Sequence, residues 1–207
     1  MRDVLICDFG GVLTTPLQEG FLAYQEESGV SLEALGTAMA LAAAEHGDHP
    51  LFVLERGEIT EAEFRERIES HLGDGVDLSR LFMHLFEGLE PNRPMIDYVR
   101  ELRGRGVRAA LLTNNVREWE PLWRSKLPEI DELFELVVDS AFVGLRKPDP
   151  AIFMLTLDRL GGVDAARCVF VDDLDVNCAA ARALGMAAVR FETTAQAIPE
   201  IESGLSA

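Results

Sequence analysis

The fold class this sequence predicts is α/β: a doubly wound, Rossmann-like parallel sheet interrupted by a small all-helical segment. Three observations carry the prediction. Short, nearly all-apolar runs recur along the chain and stop at polar or glycine-containing turns. Segments of helical period alternate with them. One long stretch, residues 17–90, keeps the helical period and shows little strand character. Parallel strands covered by helices on both faces read as continuous apolar runs, because neither face meets water.

The first run, Val4-Leu5-Ile6-Cys7, stops at Asp8-Phe9-Gly10-Gly11 and reads as a buried strand ending in a glycine turn. Residues 17–90 follow, with apolar positions at Phe21-Leu22, Leu32 to Ala44 and Phe64 to Leu72. Thr60-Glu61-Ala62-Glu63 is a capping box in front of the helix that carries Phe64 and Ile68. A helix with Pro94 near its first turn places Ile96, Val99 and Leu102 on one face. It leads to a second strand over Val107–Leu112, which ends in Thr113-Asn114-Asn115. Leu136-Val137-Val138 forms a third strand and leads through Gly144 to Lys147-Pro148. Cys168-Val169-Phe170-Val171 forms a fourth, which ends at Asp172-Asp173 and precedes an alanine-rich helix closed by Gly185. Ala187-Ala188-Val189 forms a fifth. The expected organisation is a core of residues 1–16 and 91–207 with a helical insert at 17–90.

Charge narrows the possible partners. The net charge is −17, and residues 17–90 hold sixteen acids against four bases. Such a surface repels a phosphate backbone, so nucleic acid and anionic membrane are excluded as partners. A metal cation suits it better. No apolar run reaches the roughly 18 residues of a membrane span. The opening Met1-Arg2-Asp3, with Asp8 close behind, is unlike a secretory signal. Cys7, Cys168 and Cys178 are widely spaced and odd in number, which fits a reducing cytoplasm and neither a disulfide framework nor a zinc site. Nothing in the sequence marks an obligate protein partner.

In an open parallel sheet, ligands bind beyond the carboxyl ends of the strands. Four such ends carry polar groups of matching use: Asp8, Thr113-Asn114, Lys147 in the loop after its strand, and Asp172-Asp173. Each alone is a common turn, cap or loop residue. Together they offer carboxylates for a hard cation, a hydroxyl and amides for anion oxygens, and one ammonium. That set suits phosphoryl transfer with Mg²⁺, an ion that prefers oxygen ligands.

These residues resemble the motifs of the haloacid dehalogenase superfamily, most of whose members are phosphatases. Asp8-Phe9-Gly10-Gly11-Val12-Leu13-Thr14 resembles the first motif and Leu112-Thr113-Asn114-Asn115 the second. Gly144-Leu145-Arg146-Lys147-Pro148-Asp149-Pro150 resembles the third, and Val171-Asp172-Asp173-Leu174-Asp175-Val176-Asn177 the fourth. Leu54-Glu55-Arg56-Gly57-Glu58-Ile59 is similar to the cap segment of the subfamily whose helical cap lies between motifs one and two. The resemblance implies Asp8 as a nucleophile that becomes an aspartyl-phosphate. It implies phosphoryl contacts from Thr113 and the backbone around Asn114, and charge compensation by Lys147. It further implies Mg²⁺ held by Asp8, the Gly10 carbonyl and Asp173, with Asp172 and Asn177 supporting them. The substrate would be a small phosphorylated metabolite, with a sugar phosphate as the leading class.

One position departs from the pattern. Most of these phosphatases have an acid–base aspartate two residues after the nucleophile, where this chain has Gly10. Glycine keeps the backbone carbonyl but lacks the proton donor, whose contribution is typically about 10²–10⁴-fold. A substrate with a good leaving group, or a proton supplied from the cap by His49 or Glu55, would make up the loss. The superfamily's dehalogenases also lack this aspartate, but paired carboxylates at Asp172-Asp173 gain little in a metal-free site. A non-catalytic module binding phosphate and metal is the other alternative, opposed by the intact Asp8, Lys147 and Asp173.

Overall fold

The computed structural model describes residues 2–16, 18–73 and 75–207; Met1 and Leu17, the expected first residues of core and insert, lie outside the described residues, as does Asp74. Five strands form one parallel sheet: β1 (Val4–Cys7), β2 (Arg108–Thr113), β3 (Leu136–Asp139), β4 (Cys168–Asp172) and β5 (Ala187–Arg190). Their order is β3-β2-β1-β4-β5, so β1 is central and the winding reverses between β1 and β4. At such a switch point the connections leave in opposite directions and open a crevice at the strand ends.

Two strand bounds differ from the sequence expectation. Val107 N–H donates to Leu102 O and closes the preceding helix, so β2 begins at Arg108 and runs on to Thr113. Asp172 extends β4 because it pairs with Arg190 and its carbonyl accepts from Phe191 N–H.

Alternation along the strands divides the core. Leu5, Cys7, Ala109, Leu111, Val169 and Val171 face one side, while Val4, Ile6, Ala110, Leu112, Cys168 and Phe170 face the other. The first α/β layer is completed by α6 (Arg93–Gly104) and α12 (Thr194–Ser206), whose Val99, Leu102, Ile201 and Leu205 belong to the first cluster. On the opposite face lie α10 (Pro150–Arg159) and α11 (Asp175–Ala183), contributing Ile152, Phe153, Cys178 and Ala181. The short helices α7 (Glu120–Lys126), α8 (Ile130–Leu133) and α9 (Ser140–Val143) fill the connections on either side of β3. Among the described residues, no helix is long and apolar enough to cross a membrane.

Between β1 and α6 the described residues form five α-helices: α1 (Gln18–Ser28), α2 (Leu32–His46), α3 (Pro50–Glu55), α4 (Glu61–Glu69) and α5 (Leu81–Glu87). Local chemistry starts two of them. Ser31 caps α2 by accepting from Ala34 N–H, and Thr60 and Glu63 form a reciprocal capping box at α4. This helical group leaves and rejoins the core side by side. Thr14 and Pro91 form an antiparallel bridge, Thr15 N–H donates to Glu90 O at 2.8 Å, and Asn92 N–H donates to Leu13 O at 2.8 Å. Asn92 ties this stem down, because its side-chain amide also donates to Val12 O and to the Thr194 hydroxyl.

The helical group is seated on the core at its far side too. Trp119 Nε1–H donates to Glu61 Oε2 at 2.7 Å, and the Glu61 N–H donates to Glu118 Oε1. The backbone of Gly57 presses on the core: a Cβ there would lie 2.2 Å from Ala141 O, and its φ is +67°. Both facts demand glycine. Gly57→Ala is expected to lower stability by about 1–3 kcal/mol in urea unfolding. Gly36→Ala, in α2 with open space around the new methyl, is expected to raise it by about 0.5–1 kcal/mol.

Candidate active site

At the switch point the strand ends bring together most of the residues singled out in the sequence. Asp8 follows β1 and extends the ladder by donating its N–H to Val171 O at 2.9 Å. Its carboxylate Oδ1 accepts from Phe9 N–H at 2.8 Å and from Lys147 Nζ at 2.8 Å. Both contacts fall on one oxygen, which leaves Oδ2 without a hydrogen bond among the described residues. Lys147 Nζ also donates to Asp172 Oδ2 at 2.6 Å, and Lys147 is 1% exposed. Asp172 is fully held: Oδ1 accepts from Leu174 N–H and from Asn177 Nδ2–H, both at 2.9 Å. Asn177 Nδ2–H also reaches Asp172 Oδ2 at 3.1 Å.

The Lys147 loop is held from the β2 end. Asn114 Oδ1 accepts from Lys147 N–H at 2.8 Å, and Asn114 Nδ2–H donates to Lys147 O at 3.0 Å. The Asn114 side chain is therefore spent on positioning the ammonium. Thr113, buried at the end of β2, lies beside it.

Electrostatics follow from this crowding. Burial drives the Asp8 carboxyl upward against the pull of Lys147, and Asp172 adds to the rise. Asp173 is raised by burial and by Asp172. Burial works against the Lys147 ammonium, but Asp8 and Asp172 outweigh it and hold the group above the usual lysine value. Asp8, Asp172 and Asp173 each bring a carboxylate oxygen within 4.8 Å of the others. One lysine cannot neutralise three carboxylates, and an all-oxygen donor set of this size fits a hard divalent cation such as Mg²⁺. Gly11 backs onto the same place: a Cβ on it would lie 2.6 Å from Asp173 Oδ2.

A haloacid dehalogenase-like hydrolase profile matches residues 3–185. This chain belongs to that family. It is 31% identical over 191 residues to a sesquiterpene phosphatase of Aspergillus oryzae, covering 87% of this chain and 85% of the relative. It is 26% identical over 211 residues to bifunctional epoxide hydrolase 2 of Rattus norvegicus, covering 94% of this chain and 37% of the relative. The chain spans well under half the length of the first curated relatives it matches, between 14% and 37%. Among solved structures, a family enzyme of Bacteroides thetaiotaomicron in complex with magnesium and inorganic phosphate superposes with a TM-score of 0.73 at 24% identity. That match covers 94% of this chain and 96% of the other.

In this chain, position 10 is open. Gly10 would place a Cβ with nothing within 4 Å. Of the two groups from the helical insert weighed as proton donors, the structure brings only Glu55 to the site. Glu55 lines a cavity of about 220 Å³ together with Gly10, Thr113 and Asn114. Its Oε2 accepts from Arg146 Nε–H at 2.7 Å, and burial raises its carboxyl despite that cation. His49 does not line the cavity. Its ring stacks on Phe52 at 4.4 Å, and burial and Arg146 lower its basicity.

Three residues of the site region escaped the sequence reading. Arg146 was passed over for its neighbour Lys147, although it lies over the Phe52 ring at 3.9 Å and joins insert to core. Trp119 and Trp123, four apart in the sequence, are both buried; Trp119 ends a 3₁₀ turn while Trp123 lies in α7. Both line the cavity.

Asp139, at the end of β3, is also buried. Its Oδ1 caps α9 by accepting from Ala141 N–H, while Oδ2 has no partner among the described residues. Burial pushes its carboxyl up to about 7. Between the unfolded value near 4 and 7, the folded state holds the extra proton, so this group's contribution to stability falls as pH rises through that window. Asp139→Asn keeps the cap and removes the charge. It is expected to stabilise the protein by on the order of 1–4 kcal/mol at pH 8 and by far less at pH 4, read as the difference between urea unfolding curves at the two pH values.

Proposed function

We propose that this hydrolase is a Mg²⁺-dependent phosphomonoesterase that works through a phospho-aspartate at Asp8. The observation that carries the reading is the Asp8 carboxylate. One oxygen is pinned by Phe9 N–H and Lys147 Nζ, and the other is free beside a carboxylate cluster that suits a divalent cation. The 31%-identical relative named as a phosphatase supports the same reaction. Residues 1–16 and 91–207 would act as the catalytic core and 17–90 as its cap. The three buried free cysteines suit a reducing cytoplasm.

In the first step an Asp8 oxygen attacks phosphorus and the bond from phosphorus to the leaving oxygen breaks. Thr113 and the backbone around Asn114 receive phosphoryl oxygens, while Lys147 offsets the charge shared by Asp8 and the phosphoryl group. Asp8, the Gly10 carbonyl and Asp173 would hold Mg²⁺, with Asp172 and Asn177 fixing the set. When bound, the ion supplies Lewis-acid neutralisation of the phosphoryl oxygens. In the second step water attacks the phosphorus of the acyl phosphate, which frees inorganic phosphate and restores Asp8.

Glu55 supplies the proton that Gly10 cannot. Among the described residues lining the cavity, it is the one that carries an ionisable carboxyl, and burial raises that carboxyl above the usual carboxylate range. The leaving alkoxide takes the Glu55 proton, and the carboxylate then takes a proton from the attacking water. A dehalogenase would gain nothing from three adjacent carboxylates.

Phosphate release with Mg²⁺, with EDTA, and from Asp8→Asn tests the reaction; metal-independent turnover or full activity in Asp8→Asn would overturn it. Glu55→Gln is expected to slow alkyl phosphate hydrolysis by about 10²-fold or more and aryl phosphate hydrolysis far less. Equal losses on both would leave Glu55 only as a strut for the cap. Gly10→Asp, for which there is space, is expected to raise turnover of alkyl phosphates and to rescue Glu55→Gln, as read by steady-state kinetics on the same pair of substrates.

A further inference from the structure

The cavity beside Asp8 has one polar end. Gly10, Thr113 and Asn114 border it there, and Glu55 stands at its side. Its other walls are aromatic and aliphatic side chains from both insert and core, among them Phe9, Leu35, Phe64, Phe82, Trp119 and Trp123. The rings pack on each other, with Phe82 and Trp119 at 4.4 Å and Phe9 and Trp123 at 5.1 Å.

Little here could pair with sugar hydroxyls. Asn114 is engaged with the Lys147 backbone, and the Asn115 side-chain Oδ1 accepts from Val116 N–H. Glu55 gives its Oε2 to Arg146 Nε–H, and in the proposed reaction its remaining oxygen serves the leaving oxygen. A hydroxyl left unpaired in such a place costs about 1–3 kcal/mol. Gly10 adds to the effect, because the side chain it lacks would stand at the cavity mouth.

We propose that the cavity takes the organic group of the substrate, and that this group is apolar: a lipophilic phosphate monoester rather than a sugar phosphate. A cavity of about 150 Å³ holds benzene, so the 220 Å³ here takes an arene or a short or branched alkyl group. The proposal rests on the phosphomonoesterase reading for its phosphate end, while its apolar end rests on the walls alone.

Two series test it with the whole 207-residue chain and Mg²⁺ present. The first is calorimetric binding of n-alkyl phosphonates from ethyl to decyl, which are not hydrolysed. The second is kcat/KM for the matching n-alkyl phosphates, whose leaving alcohols differ little in acidity. Affinity and kcat/KM are expected to rise by about fourfold per buried methylene and to level off once the cavity is full. Leu85→Trp, which narrows the cavity from its partly buried wall, is expected to bring the plateau to a shorter chain. Leu41→Trp, on the exposed side of α2 and outside the cavity wall, should keep the wild-type series.

A flat series, or a glycerol phosphate or hexose phosphate preferred over hexyl phosphate, would overturn the proposal. Asp8-dependent turnover with a flat series leaves the phosphomonoesterase standing and removes the apolar site. Rising phosphonate affinity without turnover of any ester does the reverse.

Discussion

Lys147 Nζ lies between Asp8 and Asp172 at 2.8 and 2.6 Å, almost wholly out of water, and the construction of the site follows from satisfying that charge. Taking an ion out of water costs several kcal/mol even after the protein relaxes, and only close, well-oriented partners offset it. The partners come from distant parts of the chain: Asp8 from the end of β1, Asp172 from the end of β4, and the lysine from the loop after α9. Asn114 at the end of β2 grips the lysine backbone from both sides, and Asn177 on α11 fixes Asp172. The central strands are therefore joined at their carboxyl ends by one charge network as well as by their ladders.

That network leaves a surplus of negative charge beside the free Asp8 oxygen, and the surplus defines what the crevice attracts. The helical insert covers the crevice and is anchored at both sides. The Thr14–Pro91 stem holds one side, while Glu55 with Arg146 and Glu61 with Trp119 hold the other. Under it the low-dielectric cavity strengthens each electrostatic contact that the Asp8 side makes.

Most of the framework was legible in the sequence because each part is encoded locally. Val4–Cys7 and Cys168–Val171 are apolar without interruption, as strands buried on both faces must be, and the Thr60–Glu63 box marks its own helix start. Polar residues such as Asp8 and Asp173 stood out because they end apolar runs. The cavity was not legible, since Phe9, Leu35, Phe82 and Trp123 come from separate elements and each reads as ordinary core. Their convergence around a void depends on how the insert is seated, which no single segment encodes. Asp139 was hidden for a different reason. A strand-ending aspartate that caps the next helix is common, and only its burial sets it apart.

The stem has a consequence for how the chain finds its topology. The central strand β1 pairs in parallel with β2, and Val4 meets Arg108 across the whole insert. Closing so long a loop costs chain entropy before any hydrogen bond forms, and non-local pairings of this kind slow folding. Once Thr14 lies against Pro91, however, the intervening helices are pinched off as a closed branch. What then separates the two strands is little more than α6 and a turn, the length of an ordinary crossover. The insert is long in sequence but short in the topology that the sheet has to solve.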